Sequence, residues 1–209
     1  AATAICLLVA YPLAYAISRA KPRSQKICIM LTMLPMWMNF LIRTYSIMAI
    51  LEDTGFLNSL LGRIGLPPLH IINTGGAVIF GMVYNYLPYM VLPIYTVLSK
   101  LDNRLLEASA DLGCTPMQTF FKVVMPLSRS GVVSGVTMVF VPSVSTFYIS
   151  QKLGGGKFQL IGDVIERQFQ SAYNYNLGAA MSLVLMVLIL LSLAVMNRYS
   201  DEGEGGLVA

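Results

Sequence analysis

The sequence predicts an all-α integral membrane protein of about five transmembrane helices, interrupted near its middle by a polar helix–turn–helix. Three observations carry that expectation. Of the 209 residues, 56% are hydrophobic and 11% charged, with a mean hydropathy of +0.69, whereas a soluble domain carries about 25% charged residues. Five apolar stretches, at 1–18, 27–50, 75–99, 127–150 and 177–197, reach or approach the roughly 20 helical residues needed to cross a bilayer core. Strands of a closed barrel would alternate apolar and polar residues, and runs such as 183–193 do not.

The first stretch carries no charge, and the chain opens on it at Ala1 with no basic region in front, so a further span is expected to precede it. A basic hinge follows, with Arg19, Lys21, Arg23 and Lys26. The second stretch is broken in charge only by Arg43. On a straight helix from Ile27 that residue lies about 24 Å along the axis, where it either snorkels to the outer interface or faces a polar interior. Residues 52–73 contain FLNSLLGRIGL and then Pro67 and Pro68, which predicts a short amphipathic helix on the outer interface. Pro35, Pro88, Pro93, Gly135, Pro142 and Gly178 fall inside spans, as suits helices whose freed backbone groups face protein or water.

Basic residues set the orientation. With the first hinge in the cytoplasm, one side gathers Arg19, Lys21, Arg23, Lys26, Lys100, Arg104, Lys122, Arg129 and Arg198, and the other gathers Arg63, Lys152, Lys157 and Arg167. Residues 1–198 then form the membrane domain and 199–209 a cytoplasmic tail, whose acidic, glycine-rich stretch from Asp201 to Gly206 is expected to be disordered. The net charge of +4 is too small to indicate nucleic acid. Cys6, Cys28 and Cys114 form no CxxC pair, His70 is the sole histidine, and neither a metal nor a cofactor is expected on this chain. Gly154, Gly155 and Gly156 lead into Lys157 and Phe158 rather than GK[ST], so they form a turn and not a phosphate cradle.

The polar segment, 102–126, reads DNRLLEASADLGCTPMQTFFKVVMP. Asp102 is placed to cap a helix over 103–112, and Gly113 supplies the left-handed position that stops it. Thr115, Pro116 and Gln118 then sit at the cap, first and third positions of a second helix, which is expected to end before Pro126. Arg104, Glu107 and Asp111 are spaced for ion pairing along the first helix. Glu107 can pair within the chain, with Arg104 or Lys122, or with a partner. Phe120 and Phe121 are aromatic knobs suited to a partner's groove.

This segment resembles the EAA loop of binding-protein-dependent ABC importer permeases, whose pattern is E-A-A-x₃-G-x₉-I-x-L-P. Glu107, Ala108, Gly113 and Pro126 match it, and Ser109, Val123 and Met125 are conservative departures. LPMWMNFLIRTYS, GFLNSLL, STFYISQKLGG, LIGDVIERQF and LGAAMS extend the likeness to the first permease subunits of spermidine/putrescine importers. The resemblance implies six helices in the intact subunit and a cytoplasmic coupling loop, with Glu107, Ala108, Asp111, Gly113, Phe120, Phe121 and Pro126 facing an ABC ATPase dimer that binds ATP-Mg. It also implies a second permease subunit, an extracytoplasmic solute-binding protein and residence in a prokaryotic cytoplasmic membrane.

The substrate path is less defined. Trp37, Tyr45, Tyr84 and Tyr148 offer aromatic faces to a cation or belong to an ordinary interface belt. Asp163 and Glu166 are candidate outer-face contacts for cations or a binding protein. Three other readings are weighed against a polyamine importer: an ABC permease for another small solute, a secondary transporter and a membrane enzyme. A secondary transporter calls for ionisable groups at mid-membrane. An enzyme calls for a convergent catalytic set. The spans supply neither.

Overall fold

A computed structural model describes residues 1–204, and they are helical throughout, with no strand among the described residues. The first helix, α1 (Ala2–Ser18), is apolar and 17 residues long, short of the roughly 20 that cross a bilayer core. Two helices are long and apolar enough to cross a membrane unbroken: α5 (Gly75–Ser99) and the Tyr175–Met196 part of α12 (Tyr175–Glu204). Two bent helix pairs among the described residues are also long and apolar enough when each pair is taken together. Pro22–Trp37 meets Phe40–Arg63 at 97°, and Pro116–Leu127 meets Arg129–Ser145 at 65°.

The first bent pair corrects the expectation of one continuous helix over 27–50. α2 (Pro22–Met33) tightens into a 3₁₀ turn, Leu34–Trp37, and stops at Met38, whose extended backbone turns the chain. α3 (Phe40–Leu51) restarts behind Asn39, whose side chain accepts from the Leu41 amide at 2.8 Å. Pro35 has no amide proton to continue the ladder and Asn39 is a strong cap, so both residues favour a restart here. The break also relocates Arg43. It is 6% exposed, so it is not a snorkelling anchor, and its Nη1 donates to the Pro35 carbonyl at 2.8 Å.

The outer helix appears as α4 (Phe56–Arg63). Asn58 clips it to the following loop, donating to the Leu69 carbonyl at 3.0 Å and accepting from the Leu69 amide at 2.8 Å.

Helix α5 is the centre of the bundle, with α1 and α9 (Arg129–Ser145) packed along it and α12 packed on α9. Water is absent from the bilayer core, so close packing rather than apolar burial holds such helices together. Two glycines let α9 approach. A Cβ on Gly131 would lie 2.9 Å from the Pro93 carbonyl oxygen, and one on Gly135 would lie 2.8 Å from the Met90 sulfur. Met90, Val91, Ile94 and Leu98 of α5 are buried against these neighbours.

After α9 the chain breaks again at Thr146 and Phe147 rather than running to residue 150. α10 (Tyr148–Gly154) and α11 (Ile161–Gln170) then lead to α12. Helix α12 continues through Glu204, so 201–204 extend it instead of forming the expected disordered tail. The remainder of that tail, 205–209, lies outside the described residues.

Candidate functional site

The polar hairpin is built by local chemistry. Asp102 accepts from the Arg104 amide at 3.0 Å and starts α6 (Asn103–Asp111). Gly113 has φ +79°, a conformation that costs other residues about 1–2 kcal/mol. It lets the Cys114 amide reach back to the Ser109 carbonyl at 3.0 Å. The second start is a reciprocal capping box. The Gln118 amide donates to Thr115 Oγ1 at 3.3 Å, and the Thr115 amide donates to Gln118 Oε1 at 2.9 Å.

The second helix differs from expectation. α7 (Pro116–Thr119) opens into a π turn, Phe120–Val124, and continues through Pro126 as α8 (Met125–Leu127) before the 65° bend at Ser128. Pro126 lies inside that continuous helical run, where it has no amide proton to give to the ladder, just after the π turn.

The two arms are tied by a contact that pattern reading missed. Ser109 is buried; its Oγ donates to the Leu106 carbonyl at 2.9 Å and shares a hydrogen bond with Thr119 Oγ1 at 2.8 Å. Its place as a departure from alanine in an otherwise matching motif was the available signal.

Glu107, Ala108 and Asp111 are exposed on α6, and Leu112 beside them is 84% exposed. Glu107 forms no ion pair with Arg104 or Lys122 among the described residues. Together with Met117 these groups make an outward ridge, part charged and part apolar. Phe120 is not on it, which corrects the expectation of two outward knobs. Its ring stands edge-on to Tyr11 and Tyr15 of α1, with centroids 5.5 and 5.4 Å away. Phe121 remains exposed, edge-on to Phe120. Pro126 is exposed and lines a largely apolar groove with Leu7, Tyr11, Phe121 and Arg129. Beneath the hairpin, Tyr11 Oη and Ser128 Oγ share a buried hydrogen bond of 2.7 Å. Arg19 Nη1 donates to Asn103 Oδ1 at 2.7 Å, so the first basic hinge and the hairpin lie together.

The candidate path residues divide into groups. Tyr45 and Tyr148 meet edge to face at 6.1 Å with Phe40 beside them, and the Lys152 ammonium lies 5.3 and 5.9 Å from the two tyrosine rings. Trp37 stands apart, 82% exposed at the tip of the broken span. Tyr84 is exposed on α5 and shares no ring contact with the pair.

Asp163 serves as an internal brace and also lines, with Glu166, a polar pocket. It is 9% exposed, and its oxygens accept from Ser150 Oγ at 2.9 Å and from the Leu160 amide at 2.6 Å, which caps α11. Glu166 accepts from Gln151 Nε2 at 2.8 Å and borders a polar pocket of about 340 Å³ with Arg167 and Ser171. Among the described residues no three His, Cys, Asp or Glu side chains are grouped to hold a metal ion.

Apolar helices broken and bent around a central helix, with a capped polar hairpin between two of them, make up the architecture of this chain. Residues 7–202 match the family described as binding-protein-dependent transport system inner membrane component, and the chain belongs to that family. It is 43% identical over 199 residues to the spermidine/putrescine transport system permease protein PotB of Haemophilus influenzae, covering 94% of this chain and 70% of that one. Identity to PotB of Escherichia coli K12 is 39% over 201 residues, covering 95% and 73%. The fold is shared with a bacterial ABC transporter that imports the acidic polysaccharide alginate, at a TM-score of 0.73 and 14% identity over 96% of this chain and 76% of that one. A second structure of a bacterial alginate ABC transporter, in complex with an alginate-bound periplasmic protein, aligns at a TM-score of 0.74 and 14% identity, covering 96% and 75%.

Proposed function

We propose that this chain is the transmembrane permease subunit of an ATP-driven importer for polyamines, spermidine and putrescine, in a prokaryotic cytoplasmic membrane. It forms half of the translocation pore with a second permease subunit. A solute-binding protein delivers cargo from outside, and a cytoplasmic ATPase dimer carrying ATP-Mg supplies the work. The observation that carries this reading is the hairpin, which presents Glu107, Ala108, Asp111 and Leu112 outward while Phe120 and Ser128 are bonded into the membrane helices. A nucleotide-driven partner shifts a pore only through contacts that differ between its two states. A ridge outside, rigidly joined to α1 and α9 inside, has the form such a contact needs.

Cargo selection is supported by the PotB likeness rather than by the fold, since alginate importers share the fold with a polyanionic cargo. On this reading the aromatic faces of Tyr45 and Tyr148 receive a passing cation only when the Lys152 ammonium, 5.3 and 5.9 Å from the two rings, gives way to it.

The test is uptake of radiolabelled spermidine and putrescine by the reconstituted complex, wild type beside Glu107→Lys. The wild type is expected to accumulate both polyamines with ATP, and the variant to assemble and hydrolyse ATP with uptake reduced at least tenfold. Competition by unlabelled amino acids or sugars, with none by polyamines, would reject the cargo. Full uptake by Glu107→Lys would reject the coupling role.

A further inference from the structure

Arg43 is a permanent cation inside a transmembrane segment, and the proposed function leaves it unused. It is almost fully enclosed, it pairs with no carboxylate among the described residues, and its Nε has no partner there. Its one side-chain hydrogen bond crosses the 97° break, from Nη1 to the carbonyl of Pro35 eight residues earlier. A charge is retained in such a place when it does something that a neutral side chain cannot.

From this geometry we propose that Arg43 is the positioning residue that clasps the broken span and so sets where the Trp37 tip stands during transport. The break must be sealed on both sides, because carbonyls and amides freed in a bilayer have no water to turn to. Asn39 seals the downstream side through the Leu41 amide. Arg43 seals the upstream side, where helix carbonyls gather partial negative charge and favour a cation. Its amide also donates to the Asn39 carbonyl at 3.0 Å, so the same residue is fastened to both halves of the joint. The segment between the fastenings carries Trp37 and Met38, both exposed and apolar. Without the guanidinium, Pro35 keeps only the local 3.2 Å bond from the Met38 amide, and the angle between the halves is free to vary.

The test places spin labels on either side of the joint, at Thr32→Cys and Ser46→Cys, in the assembled complex. Cys6, Cys28 and Cys114 are replaced by alanine in a background first shown to transport. A narrow distance distribution is expected with Arg43. In Arg43→Gln the distribution is expected to broaden and uptake to fall at least tenfold while ATP hydrolysis persists. Arg43→Lys, which can still reach one carbonyl, is expected to restore a narrow distribution and to regain uptake to within about threefold. A narrow distribution in Arg43→Gln overturns the clasp, and a broad one with normal uptake overturns its role in transport. If the glutamine variant fails to assemble, Asn39→Ala, which opens the opposite seal, is read by the same two criteria. The uptake arm rests on the importer reading and the distance arm does not, so the two can fail separately.

Discussion

Ser109 shows how much can depend on one hydroxyl. Its oxygen bonds both to its own helix and to Thr119 across the hairpin, so Ser109→Val leaves Thr119 without its cross-hairpin partner and adds bulk at a buried position. Losing a hydrogen bond of this kind costs about 0.5–1.5 kcal/mol, and more when a partner is stranded. The expected result is normal membrane insertion, faster proteolysis at 102–126, and several-fold weaker coupling of ATP hydrolysis to uptake. Ser109→Ala removes the hydroxyl without the added bulk and is expected to be milder. Limited proteolysis of the assembled complex distinguishes the two. Asp163 carries a related lesson: spacing identified it as an acid near the outer face, but its two internal donors, Ser150 and the Leu160 amide, come from another helix and a loop. The Ser150 partner is set by tertiary approach and no local pattern announces it, whereas the Leu160 amide, three residues earlier, is a local cap.

Among the elements, caps were legible and breaks were not. Asp102, Gly113, Thr115 and Gln118 act as their side chains dictate, because capping is decided within four residues. The 97° break over 34–39 falls inside one apolar stretch and the π turn over 120–124 inside the second arm of the hairpin, where sequence alone suggested continuous helix. Only Pro35 and Asn39 hinted at the first. The packing of α9 on α5 yields a prediction at this scale. Gly135→Leu would drive a side chain into Met90, where even a Cβ comes within 2.8 Å of sulfur. Overpacking of this kind costs typically 1–3 kcal/mol. Thermal denaturation of the detergent-solubilised complex is expected to show a lowered midpoint, while Gly135→Ala, which must displace the Met90 sulfur and press on its backbone carbonyl oxygen at 3.1 Å, loses less.

At the scale of the whole molecule, charge alone leads one to expect the basic hinge and the hairpin on the same side, and the Arg19–Asn103 bond brings the two together. The fold class was legible for the same reason: a bilayer permits few architectures, so composition decides among them. Connection between hairpin and spans was not legible, since Phe120 meets Tyr11 and Tyr15 across more than a hundred residues of chain. A push on the ridge therefore reaches α1 as well as α9. Phe120→Ala is expected to spare ATP hydrolysis while lowering uptake, and a double substitution with Tyr11→Phe tests whether the two contacts act as one: losses that simply add would show that they do not.

The π turn makes the hairpin's aim a matter of counting. One residue more than an α-helix would hold is wound into 120–124, and each residue of an α-helix turns the chain by about 100°. Deleting Lys122, exposed and free of an ion pair among the described residues, would let the segment rewind as ordinary α-helix. Because the wider turn absorbs the extra residue, the ridge of Glu107 and Asp111 would keep roughly its bearing, with every side chain on it intact. The same deletion in an unbroken α-helical run would instead turn that docking chemistry aside by about 100°.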